Sequence, residues 1–160
     1  MDQFLADFRQ TIEDARSRLM TIPAEDARLG PAGKWSPQQI VGHLIDSAAN
    51  NHQRFVRAQS TSDLVCQGYE QDAWVNAQKY NQASWSDLVD FWAAYNRHLA
   101  HVVTVMDEDA LTRQRSPHNL DKIAFTAVPK ETPTTLEYFV RDYVDHMKHH
   151  LRQIFGANDR

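Results

Sequence analysis

The sequence predicts an all-α protein, a four-helix bundle with long crossover loops. Three observations carry that expectation. Four long segments repeat apolar residues at steps of three and four, and no sustained period-two alternation competes with them. Glycine is scarce, 5 residues in 160, and the 6 prolines fall between the periodic segments rather than inside them. The connections are too long for a simple series of antiparallel hairpins.

The first helix runs from about Asp2 to Thr21, with Phe4, Phe8, Ile12, Ala15 and Leu19 in one stripe. Residues 22–35, with Pro23, Gly30, Pro31 and Gly33, read as a connector. The second helix has a legible start. Ser36 is a natural N-cap, Pro37 suits the first helical position, and Gln39 can reach back to close a capping box. Its apolar positions are Ile40, Val41, Leu44, Ile45, Ala48 and Phe55, and it ends near Ala58. Residues 59–83 are polar, with Gly68 and a short helix around Trp74. The third long helix starts at Ser84, with Asp87 three residues on, and carries Leu88, Phe91, Trp92, Tyr95, Leu99 and Val102. Residues 107–131, including Ser116-Pro117-His118, are irregular; a loop this long either works or hides a turn. The fourth long helix begins near Thr132-Pro133-Thr134, capped by Thr132 or by Thr134 with Glu137 answering. It carries Leu136, Phe139, Val140, Tyr143, Val144, Met147, Leu151 and Ile154 and ends by Gly156. No internal repeat interrupts the pattern, so residues 1–160 are expected to form a single domain.

Composition excludes several functions. Hydrophobic residues make up 42% and charged residues 24%, the balance of a soluble globule. The formal charge of −4 leaves no basic excess with which to neutralise nucleic-acid phosphates. No apolar run is long enough to span a bilayer. The first twenty residues carry acids throughout, unlike a secretory or transit peptide. Cys66 is the single cysteine, so no intramolecular disulfide can form, and a reducing cytoplasm is the expected location.

Histidine is the outlier, with 8 residues. Within the helices only His146 and His150 are separated by four. About 100° per residue brings the second ring to within roughly 40° of the first, one turn along, which lets two imidazoles chelate one ion. Tyr143, Met147 and Ile154 lie on the same flank, so the pair borders the apolar stripe; a solvated surface pair is the competing reading. His149 points to the other side, at the surface or behind a ligand. His43 is the best third ligand. Ser47, Asn50 and Arg54 share its helix face to within roughly 40°, the arrangement by which bundles build internal sites. A hydrogen-bonded core histidine is the alternative for His43. Three neutral imidazoles leave a divalent ion its full charge and an open position, which suits catalysis rather than structure.

The stretches Gly33-Lys34-Trp35-Ser36, Val41-Gly42-His43-Leu44-Ile45-Asp46-Ser47 with Asn50, Arg54 and Phe55, Tyr69-Glu70-Gln71-Asp72-Ala73-Trp74 and His146-Met147-Lys148-His149-His150 together resemble the DinB-like four-helix-bundle family and its YfiT group of metal-dependent enzymes. The resemblance covers about residues 30–156. It implies a metal site of His43, His146 and His150, nickel or zinc as the ion, and a homodimer. It also implies hydrolase activity or, in relatives, S-transfer and isomerisation with a low-molecular-weight thiol such as bacillithiol, mycothiol or glutathione. Residues 107–131 carry no feature assignable to the family.

Further residues have two readings each. Arg54 is either a bidentate grip for a substrate carboxylate or a snorkelling surface residue. Asn50 and Tyr143 are candidates for contact with substrate, Tyr143 equally for packing. Asp46 orients an imidazole or packs a helix. Tyr69 and Trp74 line a pocket mouth or cover the core. Cys66, with nothing basic fixed beside it, reads as an idle thiol. The expected function is a divalent-metal-dependent enzyme acting on a small molecule, foremost a thiol-dependent S-transferase, because no carboxylate occupies the place of the Glu in His-Glu-x-x-His helices. The alternatives are a hydrolase using metal-bound hydroxide and a non-catalytic metal-binding dimer.

Overall fold

In the computed structural model, which describes residues 1–156, the chain forms α1 (Asp2–Met20), α2 (Ala24–Ala27), α3 (Pro37–Ala58), α4 (Gln71–Gln78), a 3-10 turn at Tyr80–Gln82, and α5 (Trp85–Thr104). It continues through α6 (Glu108–Thr112), α7 (Leu120–Ile123) and α8 (Leu136–Phe155). The described residues contain no strand, only isolated bridges between Leu64 and His118 and between Arg115 and Thr134.

The long helices α1, α3, α5 and α8 make the bundle, and their side chains fix its topology. Glu13 pairs with Arg97 at 2.7 Å and Arg16 with Asp90 at 2.7 Å, so α1 and α5 run antiparallel. Lys148 pairs with Asp7 and the Arg18 guanidinium lies over the Phe155 ring, so α1 and α8 run parallel. Phe55 meets Phe139 at 5.7 Å while His43 meets His150 at 4.8 Å, which makes α3 and α8 antiparallel. Gln38 bonds the carbonyls of Tyr80 and Ala83, just before α5, and His52 reaches Tyr95 further along, so α3 and α5 are parallel neighbours. Around the bundle the order is α1, α5, α3, α8. The long crossovers follow from this. To place α5 parallel to α3, the chain must travel back the length of α3, roughly 33 Å at 1.5 Å per residue, before α5 begins.

Phe8, Ile12, Leu19, Leu44, Phe55, Trp92, Leu99 and Met147 fill the interior with almost no exposure. Several expected boundaries are present. Ser36 and Gln39 form the full capping box, and Ser84 accepts from the Asp87 N–H. Helix α4 contains Trp74, and Gly156 ends α8 at φ 88°.

The structure also corrects several expectations. The cap of α8 is Thr135, which accepts from the Tyr138 N–H, and neither Thr132 nor Thr134. Thr134 is committed to two backbone bonds with Arg115, which hold it extended and push the helix start one residue on. Glu137 pairs instead with Arg141, one turn ahead. Phe91 does not join the core stripe of α5; it is 54% exposed and stacks on Tyr95. Residues 22–35 include the turn α2, and residues 107–131 are far from shapeless. Asp107 caps α6. Arg115, 1% exposed, donates to the carbonyls of Ala58 and Ala110, satisfying helix-end acceptors that no backbone N–H reaches. His118 bonds the Thr132 carbonyl and accepts from the Leu120 N–H.

Candidate metal centre

The site lies between the N-terminal half of α3 and the C-terminal half of α8. The capping box fixes where α3 begins, and so which positions face α8. Two turns later Gly42 lets the Tyr80 ring lie directly against the helix, where a Cβ would collide with it. The Tyr80 hydroxyl donates to Asp46 at 2.7 Å and Gln78 donates to the same oxygen at 2.8 Å. Asp46 therefore packs helices together; it does not orient an imidazole.

With α3 held in this way, His43 is wholly buried and faces His146 and His150 on α8. The Nε2 atoms of His43 and His146 are 3.3 Å apart. Ring centroids are separated by 5.2 Å for His43–His146, 4.8 Å for His43–His150 and 4.6 Å for His146–His150. One nitrogen from each ring lies within 4.8 Å of the other two. Burial holds the protonation of His43 and His146 down to about 3 and lowers that of His150, so all three rings are neutral at physiological pH. Neutrality is what an imidazole ligand requires.

The residues fit a divalent ion. Ligands about 2.05 Å from a tetrahedral zinc are separated by roughly 3.3 Å, the spacing of the His43 and His146 nitrogens. His150 Nδ1 bonds Gln153 Oε1 at 2.9 Å, which places the proton on Nδ1 and leaves the Nε2 lone pair free. Gln153 also donates to His149 Nε2 at 3.0 Å. Among the described residues no other group of three His, Cys, Asp or Glu side chains converges in this way.

Two aromatic residues flank the triad. Trp35 lies 4.9 Å from the His43 ring and 6.3 Å from that of His150. Phe125, from the segment before α8, lies 5.5 Å from His146 and 5.1 Å from His149. Asp142 sets that segment, accepting from the N–H groups of Phe125 and Thr126 at 2.8 and 2.6 Å. Of these, Trp35 lies in a stretch that carries the family resemblance, whereas Asp142 falls roughly 60° beyond Phe139, outside the predicted core stripe of α8. Phe125 carried no local signal.

A cavity of about 400 Å³ opens beside His146 and His150 and extends along α8 to Phe139 and Arg54. Tyr69, Tyr143 and His149 also line it, so His149 sits at its rim rather than turned away. Tyr143 contributes its ring, since its hydroxyl donates to Asn96 Oδ1 at 2.6 Å. Asn50 lies outside this cavity, with its amide on the Asp46 carbonyl; Asn51 takes the lining position. Trp74 is 40% exposed against Tyr69, and Cys66 lies beyond Arg54, its thiol pushed up by burial.

Arg54 is 8% exposed. Its Nη2 donates to the Gln67 carbonyl at 2.6 Å and Nη1 to Asn51 Oδ1 at 3.3 Å, while Nε has no partner. It is thus a buried guanidinium, not a snorkelling one.

The chain is thus a four-helix bundle in which three neutral imidazoles, able to hold a metal ion, converge from two helices beside a cavity. The chain belongs to the DinB superfamily, whose family model matches residues 7–154. Among solved structures it is similar to YfiT from Bacillus subtilis, described as a probable metal-dependent hydrolase with an unusual four-helix bundle topology. The two are 18% identical with a TM-score of 0.73, over 97% of this chain and 86% of that one. No curated protein matched. No described helix is long and apolar enough to cross a membrane.

Proposed function

We propose that this protein is a metal-dependent enzyme that joins a low-molecular-weight thiol through its sulfur to a small electrophile, the thiol giving up its proton and the electrophile its leaving group. His43, His146 and His150 would hold one divalent ion, zinc or nickel, both of which suit imidazole ligands. Such an ion supplies Lewis acidity, bringing the pKa of a coordinated thiol or water toward neutrality. The protein contributes orientation and exclusion of water. Gln153 fixes the His150 tautomer, Trp35 and Phe125 wall the triad, and Asp142 keeps Phe125 in place.

The observation that carries transfer over hydrolysis is the state of the only carboxylate lining the cavity. Both Asp142 oxygens accept backbone N–H bonds and His149 Nε2 accepts from Gln153, so among the described residues neither the carboxylate nor the outer imidazole lining the cavity is a free base. Thiol and water alike would ionise at such an ion, but hydrolysis of an ester or amide must also deliver a proton to the leaving group, which attack of a thiolate on an alkylating electrophile does not require. Hydrolysis is the second reading, favoured by the description of the YfiT structure. Zinc- or nickel-loaded protein assayed with a thiol panel and a model electrophile should consume the electrophile only when thiol is present. Turnover of esters or amides at the same rate without thiol would establish hydrolysis instead.

A further inference from the structure

The cavity has a second pole that the histidines do not explain. Arg54 lies against Phe139 of α8, its guanidinium carbon 5.9 Å from the ring centroid. Phe139 precedes His146 by about two helical turns, so the guanidinium stands roughly 10 Å along the cavity from the histidines. The charge is buried and lacks the partner that buried charges ordinarily have. Among the described residues no carboxylate lies within ion-pair distance, its contacts are a carbonyl and an amide oxygen, and Nε is unbonded. The fold holds Arg54 where it is without neutralising it.

The geometry points to a carboxylate-binding pole at Arg54. The cavity takes an elongated molecule lengthwise, with its carboxylate on the guanidinium and its reacting group roughly 10 Å away at the histidines. A planar fork of N–H donors matches a carboxylate edge. Apolar walls from Ile123, Phe125 and Phe139 suit the connecting chain. Asp142 and Lys122, which also line the cavity, offset each other's formal charge, leaving the single charge of Arg54, which matches a carboxylate better than a doubly charged group such as phosphate. At about 1.2 Å per bond of extended chain, the span corresponds to a substrate about six to eight bonds long between the two ends. This inference rests on the proposed thiol chemistry for the identity of the far end, but not for the carboxylate itself.

Calorimetric titration separates the two. The probes are mercaptohexanoate, mercaptohexanol and hexanoate, added to zinc-loaded protein. Mercaptohexanoate should bind about tenfold or more tightly than mercaptohexanol, the gain of charge-assisted hydrogen bonds. Arg54→Met should abolish that preference. Asn51→Asp should abolish it too, by supplying Arg54 with a carboxylate from within the chain and leaving the arginine and its bond to Gln67 in place. Each comparison is between two thiols on one variant, so a loss of stability does not imitate the result. If the two thiols bind equally to the wild type, the carboxylate pole is overturned while the thiol reading stands. If hexanoate binds in an Arg54-dependent way and no thiol binds more tightly than hexanoate, the pole stands and the thiol reading fails. Absence of binding by all three, or displacement of hexanoate by inorganic phosphate at lower concentration than by acetate, overturns the pole.

Discussion

The ring of Tyr80 occupies the space that a side chain at position 42 would need. Gly42 therefore lets the crossover after α3 press against the helix one residue before His43 of the histidine triad. Gly42→Ala sets two effects against each other. Alanine gains about 1 kcal/mol of helix propensity. Displacing the ring costs about 1–3 kcal/mol of overpacking and breaks the Tyr80–Asp46 bond as well, worth about 1 kcal/mol or more. The clash wins, and urea unfolding should show a net loss of about 1–3 kcal/mol. Unchanged stability would mean the ring moves freely.

His150→Ala should empty the site without unfolding the protein. The side chain is only half-buried, so its removal should cost about 1 kcal/mol or less, with the far-ultraviolet helical signal intact. Metal retention after dialysis should fall by at least tenfold. Gln153→Ala, which frees the tautomer of His150, should weaken zinc about tenfold while leaving all three ligands.

Asp142→Asn should loosen the wall of the cavity. An amide retains one acceptor and turns an N–H group toward a backbone N–H, leaving Phe125 or Thr126 unbonded. The expected loss is about 1–3 kcal/mol. Amide exchange at both residues should accelerate, and protection equal to the wild type would show that Phe125 is held by packing alone.

Arg115→Met tests the organisation of residues 107–131. Methionine approximates the buried stem but leaves the Ala58 and Ala110 carbonyls unbonded at about 1–3 kcal/mol each, offset in part by no longer burying a cation. A net loss of about 2–4 kcal/mol in chemical denaturation is expected.

The frame and the triad were legible for the same reason: both are periodic. Apolar steps of three and four located α1, α3, α5 and α8, and the spacing of His146 and His150, with His43 on a polar edge of α3, located the imidazoles the structure brings together. Contacts between distant segments were not legible. Nothing local told that Thr134 bonds Arg115 and hands the cap of α8 to Thr135. Nor could the periodicity of α5 separate Phe91, exposed on Tyr95, from the buried Trp92 beside it. Phe125 reaches His146 from a segment bonded by Asp142 and Tyr138, both later in the chain. The order of the helices around the bundle was similarly hidden, since it depends on which faces meet.

Added zinc should stabilise the wild type. At a free concentration one hundred times the dissociation constant the gain is about 2.7 kcal/mol. In a chain of this size that raises the melting midpoint by about 5–10 °C. His43→Gln should lose the shift.

The most direct test is elemental analysis of untagged protein, wild type beside His43→Gln and His146→Gln. One divalent ion per chain in the wild type, reduced to a small fraction in both variants, is the predicted result. A wild type without metal when purified from metal-supplemented cells, or variants that keep its full content, would contradict a site shared between α3 and α8.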